Sequence, residues 1–187
     1  DKAGASVRPE DGILAIRKNL GLFANLRPVK AYPTLVNSSP LKPHLLKDVD
    51  MMIVRELTGG LYFGKPKKRW ATSHGRRAVD TMKYTEQEIE RIVRVGFELA
   101  QGRRKLLTSA DKFNVLESSR LWREVAIEVS EEYPDVELEH ILVDNLAMQL
   151  IRDPSHYDVI VAENTFGDTT NGAIQCTMGS EPWIHHN

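Results

Sequence analysis

VRELTGGLYFG, residues 54–64, directly follows the apolar run Met51, Met52, Ile53. A short apolar run that ends in Thr-Gly-Gly reads as a buried strand delivered into a turn. Arg55, Glu56 and Tyr62 then stand at the mouth of that turn. In an open α/β sheet, ligands bind beyond the carboxyl ends of the strands, so a guanidinium and a phenol placed there are candidate substrate contacts. The competing reading is a surface ion pair of Arg55 with Glu56 or a neighbour, with the tyrosine half packed under the turn.

Working outward, strands and helices alternate. Pro9, Glu10 and Asp11 precede Ile13, Leu14, Ile16 and Leu20, the signature of a helix start with proline and acids in its first turn. Arg17 rides on that helix, whereas Arg27 precedes Pro28 and is therefore pushed to extended backbone in the next element, residues 26–32. Residues 61–64 read as the start of a further strand. The basic run KPKKRWATSHGRRAVDTMKY, residues 65–84, is too polar to build core; it is either a solvated face or an arm that clasps another subunit. Thr85 and Glu88 have capping-box spacing, and Ile89, Ile92, Val93, Gly96, Phe97 and Ala100 follow at helical spacing. A strand at residues 105–109, a helix around Trp122, a strand at 136–143, a helix from Leu146 to Ile151 and a buried strand at 157–162 complete the pattern. Such alternation implies parallel βαβ units and an α/β fold.

The chain has 187 residues, enough for one generous domain, and 25 basic residues against 26 acidic give a net charge of −1. That balance offers no overall field for nucleic acid or an anionic membrane, so neither is expected as a partner. Cys176 is the only cysteine, which excludes an intramolecular disulfide and suits a reducing compartment. Without an apolar run of membrane-spanning length or a secretory core at the start, the expected location is cytoplasmic. The first residue is Asp1 rather than Met, as in a processed chain or a fragment.

Each strand is followed by chemically capable residues: Arg55 and Tyr62; Asp111, Lys112, Asn114 and Val115; Asp144; and Glu163, Asn164 and Asp168. Guanidiniums hold carboxylates, carboxylates hold a hard divalent ion, and a lysine and a tyrosine move protons. Singly, each has a plainer reading. Asp144 serves as a helix cap, Lys112 as a solvated amine and Asp168 as a turn residue.

The segments RPEDGILAIRKNLGLFANLRPVKAYP, VRELTGGLYFG, DKFNVLE, YPDVELEHILVDNLAMQLI and DVIVAENTFGD resemble the isopropylmalate dehydrogenases of the β-decarboxylating dehydrogenase family, in the family's own order, from about Val7 to Asp168. The resemblance implies a central sheet with helices on both faces. It also implies oxidative decarboxylation of 3-isopropylmalate to 4-methyl-2-oxopentanoate with reduction of NAD, in leucine biosynthesis. By that resemblance Arg17, Arg27 and Arg55 hold the malate carboxylates, Tyr62 and Lys112 move protons, Asn114 lies near the nicotinamide, and Asp144 and Asp168 bind Mg²⁺ or Mn²⁺. Glu10, Ile13 and Leu14, with Val115, surround the isopropyl group. Lys112 and Asp144 come from the second subunit of a homodimer with shared active sites.

Measured against that family, residues 1–30 are a partial remnant of a first domain. Residues 31–168 form the middle domain, with the arm at about 65–84, and 169–187 are a divergent tail. The family's terminal segments, including its adenosine-binding loop, are expected to be lacking. Where the family continues with Ile-Leu-Ser-Asp after FGD, this chain has Thr169, Thr170, Asn171 and Gly172, so one metal carboxylate is replaced by glycine. A truncated or frame-shifted coding sequence accounts for both ends, and His185 and His186 beside Trp183 read as a frayed tail. The alternatives are a tartrate, malate or isocitrate-type dehydrogenase of the same superfamily, or a non-catalytic dimerising remnant.

Overall fold

The computed structural model describes residues 9–34 and 39–177. Its main sheet has five strands in the order β1-β2-β7-β5-β6: β1 Ala24–Lys30, β2 Asp50–Glu56, β5 Leu106–Asp111, β6 Glu137–Leu142 and β7 Val159–Ala162. β2, β7, β5 and β6 run parallel, and β1 closes one edge antiparallel to β2. A separate two-stranded hairpin, β3 Lys68–Thr72 with β4 Gly75–Val79, lies in the basic run. The helices are α1 Pro9–Asn19, α2 Glu86–Gln101, α3 Glu117–Ser130, α4 Val143–Arg152 and α5 Asn164–Thr177.

The strand period of two sorts the core into two layers. Val54, Leu107, Val159 and Val161 pack with Ile92, Val93, Phe97, Trp122 and Val125 of α2 and α3. Met51, Ile53, Ala110, Ile160 and Ala162 pack with Leu146 and Leu150 of α4 and Ile174 of α5. Helices therefore cover both faces, as an α/β fold with buried parallel strands requires. α2 begins where its capping box predicts: Thr85 Oγ1 accepts from Glu88 N at 3.3 Å, and Glu88 Oε2 accepts from Thr85 N at 2.8 Å. Phe97 stacks on Tyr133 with centroids 4.8 Å apart, and Trp122 Nε1 donates to Ser109 Oγ at 3.1 Å. Among the described residues no helix is long and apolar enough to cross a membrane.

One expectation changes, and a second gains detail. Residues 61–64 do not start a strand: Gly60–Tyr62 form a 3-10 turn in which Gly60 has φ +74°, a left-handed backbone that breaks extension. The basic run, expected as a solvated face or an arm, contains a hairpin. Its residues 68–79 pair antiparallel around Gly75 at φ +105°, and Trp70, Arg69, Arg76 and Arg77 stay exposed. The expected tail is helical in α5 as far as Thr177, and residues 178–187, with Trp183, His185 and His186, lie outside the described residues.

Truncating Phe97 to Ala is expected to lower unfolding stability by ~3–5 kcal/mol, through lost burial and the cavity left against Tyr133. Thr85→Ala removes only the α2 cap and is expected to cost about 1 kcal/mol. Urea unfolding of the two variants checks both the order and the gap.

Candidate active site

Arg55 is the last but one residue of β2, and its side chain is only 5% exposed. A guanidinium keeps its proton under all ordinary conditions, so burial obliges it to find acceptors. The parallel register sets Arg55 opposite Ala162 of β7, and α5 starts two residues later. Arg55 Nε and Nη2 both donate to Asn164 Oδ1, at 3.1 and 2.8 Å, and Nη1 donates to the Asp168 carboxylate. Asn164 and Asp168 are four apart and share one face of α5. Gly167 lies between them in sequence, and a Cβ there would stand 2.8 Å from Arg55 Cγ, so the helix approaches β2 this closely only with glycine. Tyr62 Oη donates to Asp168 Oδ2 at 3.2 Å, and its ring centre is 5.6 Å from Arg55 Cζ.

The pairing of Arg55 with Glu56 does not occur, because successive strand residues face opposite layers. Glu56 is fully buried on the α2 side, where it accepts from the backbone N–H of Thr58 and Gly59 at 2.8 Å each and from Arg91 Nη2 at 3.3 Å. It holds the Thr-Gly-Gly turn closed.

Arg17 of α1 belongs to the same cluster. Partial burial lowers its pKa, and repulsion from Arg55 and Arg27 lowers it further, against the attraction of Asp168 and Tyr62. Arg27 lies on β1, its Nε donating to Asn25 Oδ1 at 2.7 Å. Arg17 therefore feels two other guanidiniums against the single carboxylate of Asp168, an excess of positive charge that favours an added anion. Desolvation, followed by the charge of Asp168, raises the pKa of Tyr62 and keeps its phenol protonated at neutral pH.

Lys112 and Asp144 form a second cluster. They pair with each other, Lys112 just beyond β5 and Asp144 in the first turn of α4, and the Lys112 hydrogen bond holds the Asp144 carboxyl below its ordinary pKa. With strands ~4.8 Å apart, this pair lies roughly 10–14 Å along the sheet from Arg55. Among the described residues no hydrogen bond or ion pair links the two clusters. Asn114 and Val115 are exposed on the loop after β5, where Asp111 Oδ2 accepts from Arg123 Nε at 2.7 Å. Ile13 is also exposed, and the side chains of Glu10 and Leu14 lie outside the described residues.

Asp168 is the one candidate metal carboxylate beside Arg55, and no three His, Cys, Asp or Glu residues among those described converge. One chain alone does not fit Mg²⁺ or Mn²⁺. An open cleft of about 920 Å³ lies at the opposite, amino ends of the strands. Its Arg103 is already matched, donating to Asp50 and Asp158 at 2.7 Å each, so it lacks the unbalanced charge of the Arg55 cluster.

Sequence reasoning missed a buried support. Tyr84 Oη donates to Glu163 Oε2 at 2.7 Å and accepts from Asn164 N at 3.0 Å, while Phe166 N donates to Glu163 Oε1 at 2.7 Å. Glu163 and Asn164 were visible only as polar residues after a strand, and nothing local marks Tyr84 as their partner.

Burial raises the pKa of Glu163, against the opposing hydrogen bonds from Tyr84 and from backbone N–H groups. The folded chain therefore holds a proton that the unfolded chain releases near the ordinary carboxylate pKa. Stability from this group is full below that value and falls as pH rises through the higher folded pKa. Glu163→Gln removes this dependence and adds a constant cost, since only its Oε1 still accepts. Urea unfolding of both proteins over a pH series is expected to favour the variant progressively as pH rises through that window.

Residues 1–180 match the isocitrate/isopropylmalate dehydrogenase family, a longer match than the motifs from Val7 to Asp168. The chain is 59% identical over 175 residues to the 3-isopropylmalate dehydrogenase of Dehalococcoides mccartyi strain 195, covering 93% of this chain and 48% of that protein. It is 56% identical over 181 residues to the 3-isopropylmalate dehydrogenase of Bacillus subtilis strain 168, covering 96% and 50%. The crystal structure of isocitrate dehydrogenase from Methylococcus capsulatus superposes with a TM-score of 0.81 at 30% identity, covering 95% of this chain and 50% of that one. The chain spans about half the length of the curated relatives it matches. With the whole described fold and nearly the whole sequence inside the match, this chain belongs to the isocitrate/isopropylmalate dehydrogenase family.

Proposed function

We propose that the chain carries the substrate-binding part of a 3-isopropylmalate dehydrogenase. The reaction oxidises the hydroxyl carbon of 3-isopropylmalate, passes its hydride to NAD, and releases carbon dioxide to leave 4-methyl-2-oxopentanoate, within leucine biosynthesis. The observation that carries the reading is the buried Arg55 beside a protonated Tyr62, with the positive charges of Arg17 and Arg27 nearby. The identity of 56–60% to 3-isopropylmalate dehydrogenases supports this substrate over isocitrate.

Guanidiniums suit the two carboxylates, since each presents fixed pairs of donors to a planar acceptor. Tyr62 then gives its proton to the carbon that loses carbon dioxide, and Lys112 takes the proton of the hydroxyl. Asn114 stands where a nicotinamide amide finds a hydrogen-bond partner, and NAD, when bound, accepts the hydride. Ile13, Leu14 and Val115 favour a branched alkyl group over a third carboxylate, although one methylene is worth only ~1–3 kcal/mol in such a pocket. In this reading Glu10 is assigned to the same alkyl group as Ile13 and Leu14.

In this reading the active site is shared within a cytoplasmic homodimer. Residues 1–30 belong to the first domain, 31–168 to the middle domain with its arm at about 65–84, and 169–187 to the tail. The separation of the Lys112 and Asp144 pair from the Arg55 cluster supports sharing, as do the exposed Met148 and Ile151 on α4. An Mg²⁺ or Mn²⁺ ion then needs Asp168 of one chain and Asp144 of the other.

The test uses a full-length chain that carries residues 7–168 within the frame of the Bacillus subtilis relative. Arg55→Lys keeps the charge and loses the planar fork, so kcat/KM for 3-isopropylmalate is expected to fall ~10- to 100-fold. Unchanged kinetics remove Arg55 from the substrate site, and higher kcat/KM with tartrate, malate or isocitrate reassigns the substrate. Lys112→Ala and Arg55→Ala are each expected to be inactive as homodimers. A mixed dimer keeps one intact site and is expected to regain up to about half the wild-type activity, by counting sites under two-fold symmetry. Background activity after verified subunit exchange rules out sharing.

A further inference from the structure

We infer that Asn164 is the positioning residue for Arg55: its side-chain oxygen occupies the Nε and Nη2 edge of the guanidinium, so that Arg55 meets an incoming carboxylate from its Nη1 side. This deepens the reading of Arg55 as a carboxylate holder, while the positioning itself is independent of which anion binds.

A guanidinium can grip an acceptor side-on, through Nε and one Nη, or end-on, through both Nη atoms. Here the side-on edge is taken, because Nε and Nη2 converge on Asn164 Oδ1 at 3.1 and 2.8 Å. Two N–H donors aimed at one atom require oxygen there, which settles the orientation of the amide. The amide is itself held. Its Nδ2 donates to Gly59 O at 3.4 Å, and its backbone N–H donates to Tyr84 Oη, which is anchored on Glu163. The Arg55 stem is confined from the other side by Gly167, where any Cβ would come within 2.9 Å of both Arg55 Cβ and Cγ. Only Nη1 extends to Asp168, which is half exposed and marks the end of the fork nearest to solvent.

The chemistry of the acceptor matters as much as its place. A neutral amide satisfies the buried N–H groups without adding a second negative charge to that of Asp168, so an added anion meets only one competing carboxylate on Arg55. A carboxylate in the same place would orient Arg55 equally well and neutralise it.

The experiment observes the Arg55 Nε–H directly by ¹⁵N NMR in the 187-residue chain, with the resonance assigned by its loss in Arg55→Lys. In the wild type this proton is expected to exchange slowly with water, and Asn164→Ala is expected to speed its exchange about tenfold or more. Unchanged exchange in Asn164→Ala overturns the inference. Asn164→Asp preserves the shape and provides the second arm if the alanine variant does not fold. Its expected result is a retained, slowly exchanging Arg55 Nε–H displaced downfield by the charged acceptor, and an unshifted resonance overturns the inference. Titration with 3-isopropylmalate separates the two levels. Binding by the wild type that weakens about tenfold in Asn164→Asp supports both. Absence of binding by the wild type, with the NMR changes intact, rejects the carboxylate reading and leaves the positioning standing.

Discussion

A permanent positive charge that is nine-tenths buried sets the terms for the rest of this structure. Arg55 cannot neutralise itself, so the fold must bring acceptors to it, and it does so by pairing β2 directly with β7. That pairing places the start of α5 over the end of β2, and one helical turn supplies both Asn164 and Asp168. The glycine at 167 follows from the same demand, since the helix must ride against the arginine stem. The segment NTFGD is therefore legible as a physical solution: amide, spacer, gap and carboxylate around one guanidinium.

The parallel order β2-β7-β5-β6 collects all the chemically active turns on one edge, yet it also spreads them. Arg55 and Tyr62 meet Asp168 at one end, while Lys112 and Asp144 neutralise each other several strands away. The first cluster is cation-rich and the second is balanced. A single chain thus holds both clusters without bringing them together.

Much of the fold was legible because several signals agreed. α2 combined a capping box with a clean helical stripe, and β2 and β7 were short apolar runs ending at turns. The failures have physical causes. Leu61, Tyr62 and Phe63 form an apolar run that matches a strand, and only the sign of φ at Gly60 reveals the turn. The hairpin at residues 68–79 has no buried face to impose alternation, so its pairing left no periodic trace. The partners of Arg55 were hidden for another reason: Asn164 is 109 residues away, and only strand order makes it a neighbour. The notion of an Arg55–Glu56 pair was avoidable, since period two already sends neighbours in a strand to opposite faces.

That alternation gives the end of β2 two faces with different hydrogen-bond partners. Arg55 answers to α5, while Glu56 answers to Arg91 of α2 and to the turn at Thr58. A change at Arg91 therefore bears first on Glu56 and Thr58 and not on the acceptors of Arg55. The clamp that closes the turn is thus spread over α2 and the turn itself, whereas both side-chain acceptors of Arg55 come from one turn of α5, so a local shift of that helix moves them together.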